Sequence, residues 1–331
     1  MEFINNSLPA VINPVIIADE PAEETNSDTQ FIEANTLSIK HDELINHHII
    51  PVFVKDNEPV ISQNDFIQTM QDTALEIFEG ERILKPVIRV SHPIKGRIPE
   101  ARNKPANELI DNEKTLYYER MAFTIEIPSI ADSIDGNELS LTIGGVKSHA
   151  SDNLYNKKGS DEHFKIFIGF QNKVCTNMCI WTDGLQSELR VQNIGQLKGA
   201  IHTLLQSYNS GYQLFHLKQL AQYYITEQQF ALLIGRCRLY QHLEPSQKKD
   251  IPVLKFGDNQ INAICKDYFR DTSFCKDANG NINLWKLYNL FTGSNKSSYI
   301  DNFLEKSVNA YNFVEQIKWG LEGKQESWYL N

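Results

Sequence analysis

The chain lacks the common short motifs of catalysis and cofactor binding. It contains no G-x-S-x-G elbow, no H-E-x-x-H pair and no G-x-G-x-x-G loop, which are typical of serine hydrolases, zinc proteases and dinucleotide-binding proteins. Two partial matches fail at required positions. Ile282 replaces the glycine of a calcium loop beginning at Asp277, and Asn295 replaces the glycine that precedes the lysine of a phosphate loop. The sequence therefore predicts no cofactor and indicates no catalytic nucleophile.

Cysteine is scarce and irregularly placed. An odd number at scattered spacings argues against a disulfide framework; the five cysteines are Cys175, Cys179, Cys237, Cys265 and Cys275. Cys175 and Cys179 lack the spacing of a C-x-x-C pair, and no second pair follows. Because residues four apart on a strand face the same side, we predict buried free thiols there and no metal site.

Long apolar runs are also missing. No stretch approaches the length needed to span a membrane. The chain begins Met-Glu and has no basic stretch before the apolar segment Leu8–Ile17, so a secretory signal is not expected. Together with the unpaired cysteines, these absences favour a reduced, cytoplasmic protein with no membrane partner.

Negative charge is concentrated in the first quarter of the chain. Residues 1–80 contain fifteen Asp and Glu against two Lys, a net charge of −13, whereas the whole chain carries −10. The remainder therefore carries the difference, +3. Overall acidity is thus no argument against nucleic-acid binding by the main body.

Residues 1–45 have the composition of a tail. They are punctuated by Pro9, Pro14 and Pro21 and are rich in Asp and Glu. Such a segment buries too little apolar surface to offset the entropy of ordering, so we predict that it is largely disordered. The alternative for its apolar stretch, Pro9–Ile17, is docking as an extended strand.

Apolar periodicity predicts a strand-rich part before a helical part. Ile49–Val54 is predicted as a short strand, and Ser62–Glu79 as a helix with apolar residues at helical spacing. From about 81 to 185 the spacing changes to two, as in Phe123–Ile127 and Phe164–Phe170. Turn residues separate these segments, which favours an antiparallel β-meander.

After Gly195 the apolar spacing becomes helical. The predicted helices lie around Ile201–Tyr208, Thr226–Cys237, Asp258–Phe269, Ile282–Phe291 and Ser298–Trp319. Strands followed by helices predict an α+β fold and not a doubly wound parallel sheet. The expected organisation is a disordered acidic tail (1–45), a β-rich part with one N-terminal helix (46–185) and an α-helical part packed on the sheet (186–331).

Two polar aromatic segments carry a resemblance to known families. A V-C-x-N strand, Val174–Asn177, precedes a helical half that contains a W-x-x-Y-N-x-x-T box, Trp285–Thr292. Over about 81–314 the chain resembles the bacterial family known as domain of unknown function 3871, and more distantly the phage- and plasmid-related family known as domain of unknown function 932. The resemblance implies a gene carried on mobile elements and implies no catalytic residue. The residues that carry it are Cys175, Asn177, Trp285, Tyr288, Asn289 and Thr292.

Acidic residues and histidines crowd around one polar loop, Ser148–Asp161, between two predicted strands. The candidate functional residues there are His149, Asp152 and His163. The loop is long enough to be functional, so it is the candidate site for an enzyme. A solvated hairpin loop is the alternative, because no metal-binding spacing is present.

A basic, proline-rich stretch follows the first predicted helix. Its seven Lys and Arg are opposed by only Glu81 and Glu100; they are Arg82, Lys85, Arg89, Lys95, Arg97, Arg102 and Lys104. An extended basic arm can follow a phosphate backbone. The alternative is an exposed edge hairpin, in which Lys, Arg and Pro discourage aggregation.

These observations leave three functions open. The leading hypothesis is a non-enzymatic accessory factor of a mobile element that binds single-stranded nucleic acid through the basic arm. The second is a protein-interaction factor that modulates a partner, with the acidic tail as the docking segment. The third is an enzyme that acts through the 148–163 loop.

Overall fold

The computed structural model describes residues 30–47, 61–153 and 161–331. The apolar segment Pro9–Ile17 and the predicted strand Ile49–Val54 lie outside the described residues. Among the described residues, no helix combines the length and the apolarity needed to cross a bilayer.

Strands precede most of the helices along the chain. The strands are β1 (Leu37–Ile39), β2 (Val87–Val90), β3 (Pro93–Arg97), β4 (Lys114–Tyr118), β5 (Arg120–Ile134), β6 (Asn137–Ser148), β7 (Glu162–Asn172), β8 (Met178–Cys179), β9 (Leu185–Val191), β10 (Tyr224–Ile225) and β11 (Ile282–Asn283). The helices are α1 (His41–His47), α2 (Gln63–Ile77), α3 (His149–Asn153), α4 (Ile194–Ser207), α5 (Ser210–Leu220), α6 (Glu227–His242), α7 (Asp258–Arg270), α8 (Leu284–Asn295) and α9 (Ile300–Leu321). The predicted α+β class is confirmed.

One antiparallel sheet organises the first half of the fold. Its strand order is β1-β2-β5-β6-β7, and both β8 and β9 pair with β7. Among the described strands, β3 and β4 pair with each other and form a separate ribbon, and β10 pairs with β11. The predicted antiparallel meander is therefore confirmed, with the ribbon as an addition to it.

The hairpin of β5 and β6 is the longest pairing in the sheet. Its turn residues Asp135 and Gly136 have φ angles of 50° and 79°, the positive values required by the tight turns that match strand twist. Pairing shifts register between Ile127 and Ala131, as at a β-bulge. The turn and the alternation together fix which side chains face each side of the sheet.

Helix α2 packs on one face of the sheet. Its start is fixed by a capping box. The Ser62 hydroxyl accepts from the backbone N–H of Asp65, and the Asp65 carboxylate accepts from the backbone N–H of Ser62. The Phe66 ring meets Phe123 and Phe164 edge-on, with centroids 5.0 and 4.8 Å apart. A Cβ at Gly145 would lie 2.3 Å from the Phe66 ring, so only glycine permits this approach.

Helix α9 covers the opposite face of the sheet. Its first turns contribute Ile300, Phe303 and Leu304 to a second apolar cluster, which also contains Ala122 and Phe167 from the strands. Charged pairs reinforce the contact at the sheet's rim. Those pairs are Arg120–Asp301 and Lys165–Glu305.

The described end of the predicted tail is folded. Phe31 and Ile32 are 4% and 0% exposed and belong to the cluster under α9. The backbone N–H of Glu33 donates to the Lys296 carbonyl at 2.8 Å. The short strand β1 then pairs with β2. Two apolar residues among many acidic ones were too weak a pattern to predict that the described residues from Phe31 onward are packed.

We expect Ile32→Ala to destabilise the protein by about 2–4 kcal/mol, because it removes a fully buried aliphatic side chain. Leu37→Ala is the matched control in the same segment, since Leu37 is 61% exposed and exposed positions have small effects. Urea denaturation followed by circular dichroism measures both. Equal effects of the two changes would show that the 30–39 segment is not packed as described.

Candidate functional site

The seven predicted basic residues do not form one continuous arm. Arg82 and Lys85 lie before β2, where the Arg82 N–H donates to the Ser129 hydroxyl near the far end of β5. The strands β3 and β4 leave from the other end of β5, at Arg120. At about 3.3 Å per residue, the two groups lie on the order of 25 Å apart. A single extended phosphate-binding track is therefore not what the fold provides.

Arg89 is a structural residue. It is 7% exposed, and its guanidinium donates to the Thr36 hydroxyl at 2.7 Å, to the Thr36 carbonyl at 2.9 Å and to Gln30 at 3.1 Å. Burial lowers its pKa, and the Glu33 carboxylate partly offsets that effect. Because its donors already hold the first described segment, Arg89 is withdrawn from the candidate interface.

The β3–β4 ribbon gathers basic residues on one face. Lys95 lies opposite Leu116, and Arg97 lies opposite Lys114. Residues opposite one another, and residues two apart on a strand, share a face. Lys95, Arg97 and Lys114 therefore project from the same side of the ribbon, and Lys114 was not among the residues predicted from the sequence.

Carboxylates of the ribbon compensate part of this charge. Lys104 pairs with Glu113, and Lys114 pairs with Asp111 at 2.7 Å. The Arg97 guanidinium donates to the Lys104 carbonyl. Residues 93–118 contain five Lys and Arg against four Asp and Glu, a net charge of +1. Carboxylates beyond Glu81 and Glu100, those of Asp111 and Glu113, therefore also oppose the basic residues.

The 148–163 loop is anchored by a buried lysine. Lys147 has a side chain that is 0% exposed, and its ammonium lies 2.8 Å from Asp152 and 2.9 Å from Glu162. The same ammonium sits 4.0 Å above the Phe164 ring. Glu162 also accepts the backbone N–H of Ile61 at 3.0 Å. These groups are mutual partners in the interior, which favours a stabilising role for the cluster.

The structure brings the predicted loop residues together only in part. The His149 ring lies 3.7 Å from Asp152 and edge-on to Tyr117. The backbone N–H of His163 donates to Asp152 at 2.8 Å, but its ring contacts the Ser187 carbonyl at 2.9 Å. The two imidazoles thus have different surroundings. In the described part of the chain, no group of three His, Cys, Asp or Glu is placed to hold a metal ion.

The sequence analysis did not single out Lys147, although its place in the alternating pattern of β6 could have marked it. The residue occupies an apolar position of an alternating strand, opposite Met121 and Phe164 in the register. A charged residue at an inward position requires a buried partner. Searching for such positions would have led from Lys147 to the carboxylates of the loop.

The two resemblance segments meet at the junction of the sheet and the helices. The Asn177 side-chain amide donates to the Asn289 carbonyl at 3.0 Å. Asn172, on β7, lies 3.4 Å from the Asn289 side chain, and Asn289 itself donates to the Trp285 carbonyl at 3.0 Å. The Trp285 indole donates to Asn137 at the β5–β6 turn, also at 3.0 Å. The side chains of Asn172, Asn177, Trp285 and Asn289 are buried.

The same junction extends to the end of α8. Thr176 has a φ angle of 55°, and Lys296 donates to its hydroxyl at 3.1 Å and to the Cys175 carbonyl. Burial lowers the pKa of Lys296. Within the helix, the Thr292 hydroxyl donates to the Tyr288 carbonyl at 3.2 Å. The resemblance residues therefore join two parts of the fold, a role that neither segment reveals by itself.

The thiols near this junction are not activated. Burial raises the pKa of Cys175 to about 11 and raises that of Cys179 further. Burial likewise raises the pKa of Cys237. Nucleophilic cysteines have lowered values, so the physical setting of these three thiols favours passive packing. All five cysteines are free in the structure.

Removing the Lys147 ammonium should be costly. We expect Lys147→Met to destabilise the protein by about 3–5 kcal/mol, because two largely buried carboxylates would lose their cation. The matched control is Lys198→Met, which breaks an exposed Lys–Glu pair of 2.6 Å with Glu76 and should barely move the urea midpoint. A small effect at both positions would contradict the buried ion network.

Thiol labelling should separate the cysteines by environment. In native protein at pH 8, only about one Cys175 in a thousand is a thiolate if its pKa is near 11. We expect Cys265 and Cys275 to react first, and Cys179 and Cys237 only after unfolding. Raising the pH towards 11 should speed labelling of Cys175 about tenfold per unit. Mass spectrometry of timed alkylation tests this; early labelling of Cys179 would contradict it.

Comparison with known proteins identifies the family. The sequence model of the family described as "Domain of unknown function, B. Theta Gene description (DUF3871)" matches residues 11–330. That match confirms the nearer resemblance, whereas the phage- and plasmid-related one is not shown. No curated protein and no solved structure matches the chain. With both resemblance segments inside the matched region and joined in the fold, the chain belongs to the DUF3871 family.

Proposed function

We propose that this protein is a non-enzymatic binding factor for single-stranded nucleic acid, which it contacts through the basic face of the β3–β4 ribbon. The observation that carries the proposal is the register of the ribbon, which puts Lys95, Arg97 and Lys114 on one side. Cations that share one face can neutralise neighbouring phosphates of a nucleic-acid backbone.

The ribbon is well placed to make such contacts. It pairs with no strand of the main sheet, and Lys95, Arg102 and Lys114 are exposed. A two-stranded ribbon is narrow enough to lie along a nucleic-acid strand. Because its net charge is only +1, binding should be weak, strongly salt-dependent and indifferent to base sequence.

An origin on a mobile element is a second part of the proposal. Its support is the distant resemblance of the two junction segments to a phage- and plasmid-related family. The family match itself describes a domain of unknown function and adds nothing on the element that carries the gene.

An aromatic surface patch favours the alternative of a protein-interaction factor. Tyr212 and Phe215 are 52% and 57% exposed and are neighbours on α5, one turn apart. The Tyr212 ring stacks on Trp181, with centroids 5.3 Å apart. Contiguous exposed aromatics are typical of protein contact surfaces. In this alternative the acidic N-terminal segment would add a second docking element.

The third function, an enzyme acting through the 148–163 loop, has less support. The ammonium and carboxylates nearest that loop are already paired in the interior. A reaction would require one of these groups to leave its partner.

The salt dependence of binding tests the proposal. Affinity for a single-stranded oligonucleotide should fall with salt by a log–log slope of about −0.7 per phosphate contact. We expect Lys95→Ala/Arg97→Ala to make that slope shallower by about 0.7–1.4, because two contacts are lost. Fluorescence anisotropy across a salt series measures the slope.

The matched control removes two exposed cations elsewhere, Arg82→Ala/Lys173→Ala, and should leave the slope unchanged. If no oligonucleotide binds at low salt, the proposal is wrong. If the control pair has the same effect as the ribbon pair, binding depends on overall charge and the ribbon has no special role.

A further inference from the structure

A cleft lies where α1 meets the outer edge of the ribbon. Its volume is about 390 Å³, which is within the range of small-ligand sites. Its lining includes Asn46, Lys95, Asn112, Lys114, Thr115 and Leu116. Asn46 comes from α1 and the others come from the ribbon, so the cleft is formed only when these two elements pack together.

The lining of the cleft offers hydrogen-bond donors of several kinds. Lys95 and Lys114 supply two ammonium groups, and Asn46 and Asn112 supply side-chain amides.

Asp111 is the acidic member of the lining. Its side chain is fully exposed and pairs with Lys114 at 2.7 Å. The hydrogen bond from Lys114 lowers the pKa of this carboxyl, so it is ionised at neutral pH and opposes an anion. An exposed ion pair is weak, and a stronger anionic ligand can take over the Lys114 ammonium.

We infer that this cleft binds a terminal phosphate group, the phosphorylated end of a nucleic-acid strand that continues along the basic face. The inference rests on the proposed function and specifies which part of the strand the ribbon holds. Lys95 and Lys114 contact the phosphate oxygens, the Asn46 and Asn112 amides donate to it, and Leu116 lies against the adjoining sugar.

Charge distinguishes an end from the middle of a strand. An internal phosphodiester carries one negative charge, whereas a terminal phosphate monoester carries about −1.5 to −2 at neutral pH. Once the ligand displaces Asp111 from Lys114, two ammonium groups face the ligand, and they complement the charge of the monoester better than that of the diester.

The experiment compares oligonucleotides of identical sequence that carry a 5′-phosphate, a 3′-phosphate or hydroxyls at both ends. With the full chain at moderate salt, one phosphorylated form should bind about tenfold tighter than the hydroxyl form, as expected for one additional charge-assisted contact. A nucleoside monophosphate, measured by calorimetry, distinguishes a strand end from a free nucleotide.

Three variants test the residues. Lys114→Ala should abolish the preference for the phosphorylated end, and Asp111→Asn should increase it, because the opposing carboxylate is removed. The increase is an outcome that misfolding would not produce. Lys173→Ala, an exposed change outside the cleft, should preserve the preference.

The outcomes separate this inference from the proposed function. Equal affinity for phosphorylated and hydroxyl strands overturns the cleft and leaves the ribbon proposal standing. A preference for the phosphorylated end that survives Lys114→Ala and does not respond to Asp111→Asn also overturns the assignment of the phosphate to the cleft. If no strand binds but the monophosphate binds with the same response to both variants, the phosphate cleft stands and the proposed function fails. Absence of all binding overturns both.

Discussion

The fold depends on a sheet whose two faces are both covered. Helix α2 packs on one face through Phe66, and α9 packs on the other through Ile300 and Phe303. Ten of the twelve residues of β6 are buried as a result. A hairpin with one solvated face would instead alternate between buried and exposed positions. Covering both faces therefore places polar side chains of the central strands, such as Thr124, Thr142 and Lys147, in the interior.

Interior polar groups must then find partners inside the protein, and the fold meets this requirement in two ways. At one end of the sheet, Lys147 neutralises Asp152 and Glu162. At the other end, amides of Asn177 and Asn289 bridge the sheet and the helices. Buried ions repay their desolvation only with good geometry, whereas amides cost less to bury. Both kinds of contact fix the relative placement of the elements, because an alternative packing would leave them unsatisfied.

Local sequence patterns predicted the elements of this fold more readily than its junctions. The Asp135-Gly136 turn, the alternation of β7 and the apolar stripe of α2 each depend on residues close together in the chain. The contact between Asn177 and Asn289 joins residues 112 positions apart, and no local pattern reveals it. The resemblance marked both segments as special, but their physical role became apparent only from the packing.

For the candidate interface, closeness in sequence did not predict closeness in space. Basic residues that were adjacent in sequence separated in space, since Arg89 turned inward to Thr36 while Lys95 stayed outside. Cross-strand pairing added Lys114, which lies opposite Arg97. This shared face could not be predicted from the sequence. It depends on the β3–β4 register, and the sixteen residues 98–113 that separate the two strands are too many for a turn type to predict that register.

Protection of an exposed strand edge is the competing explanation for charge on this ribbon. Edge protection requires charge or proline and is indifferent to sign, because either sign discourages pairing with another strand. Phosphate recognition requires positive charge in one place. On the ribbon, Lys95, Arg97 and Lys114 share one face, whereas Asp111 and Glu113 precede β4. Clustering of three cations on one face adds nothing to edge protection, whereas an anionic strand can compete with Asp111 for Lys114 and contact the whole cluster.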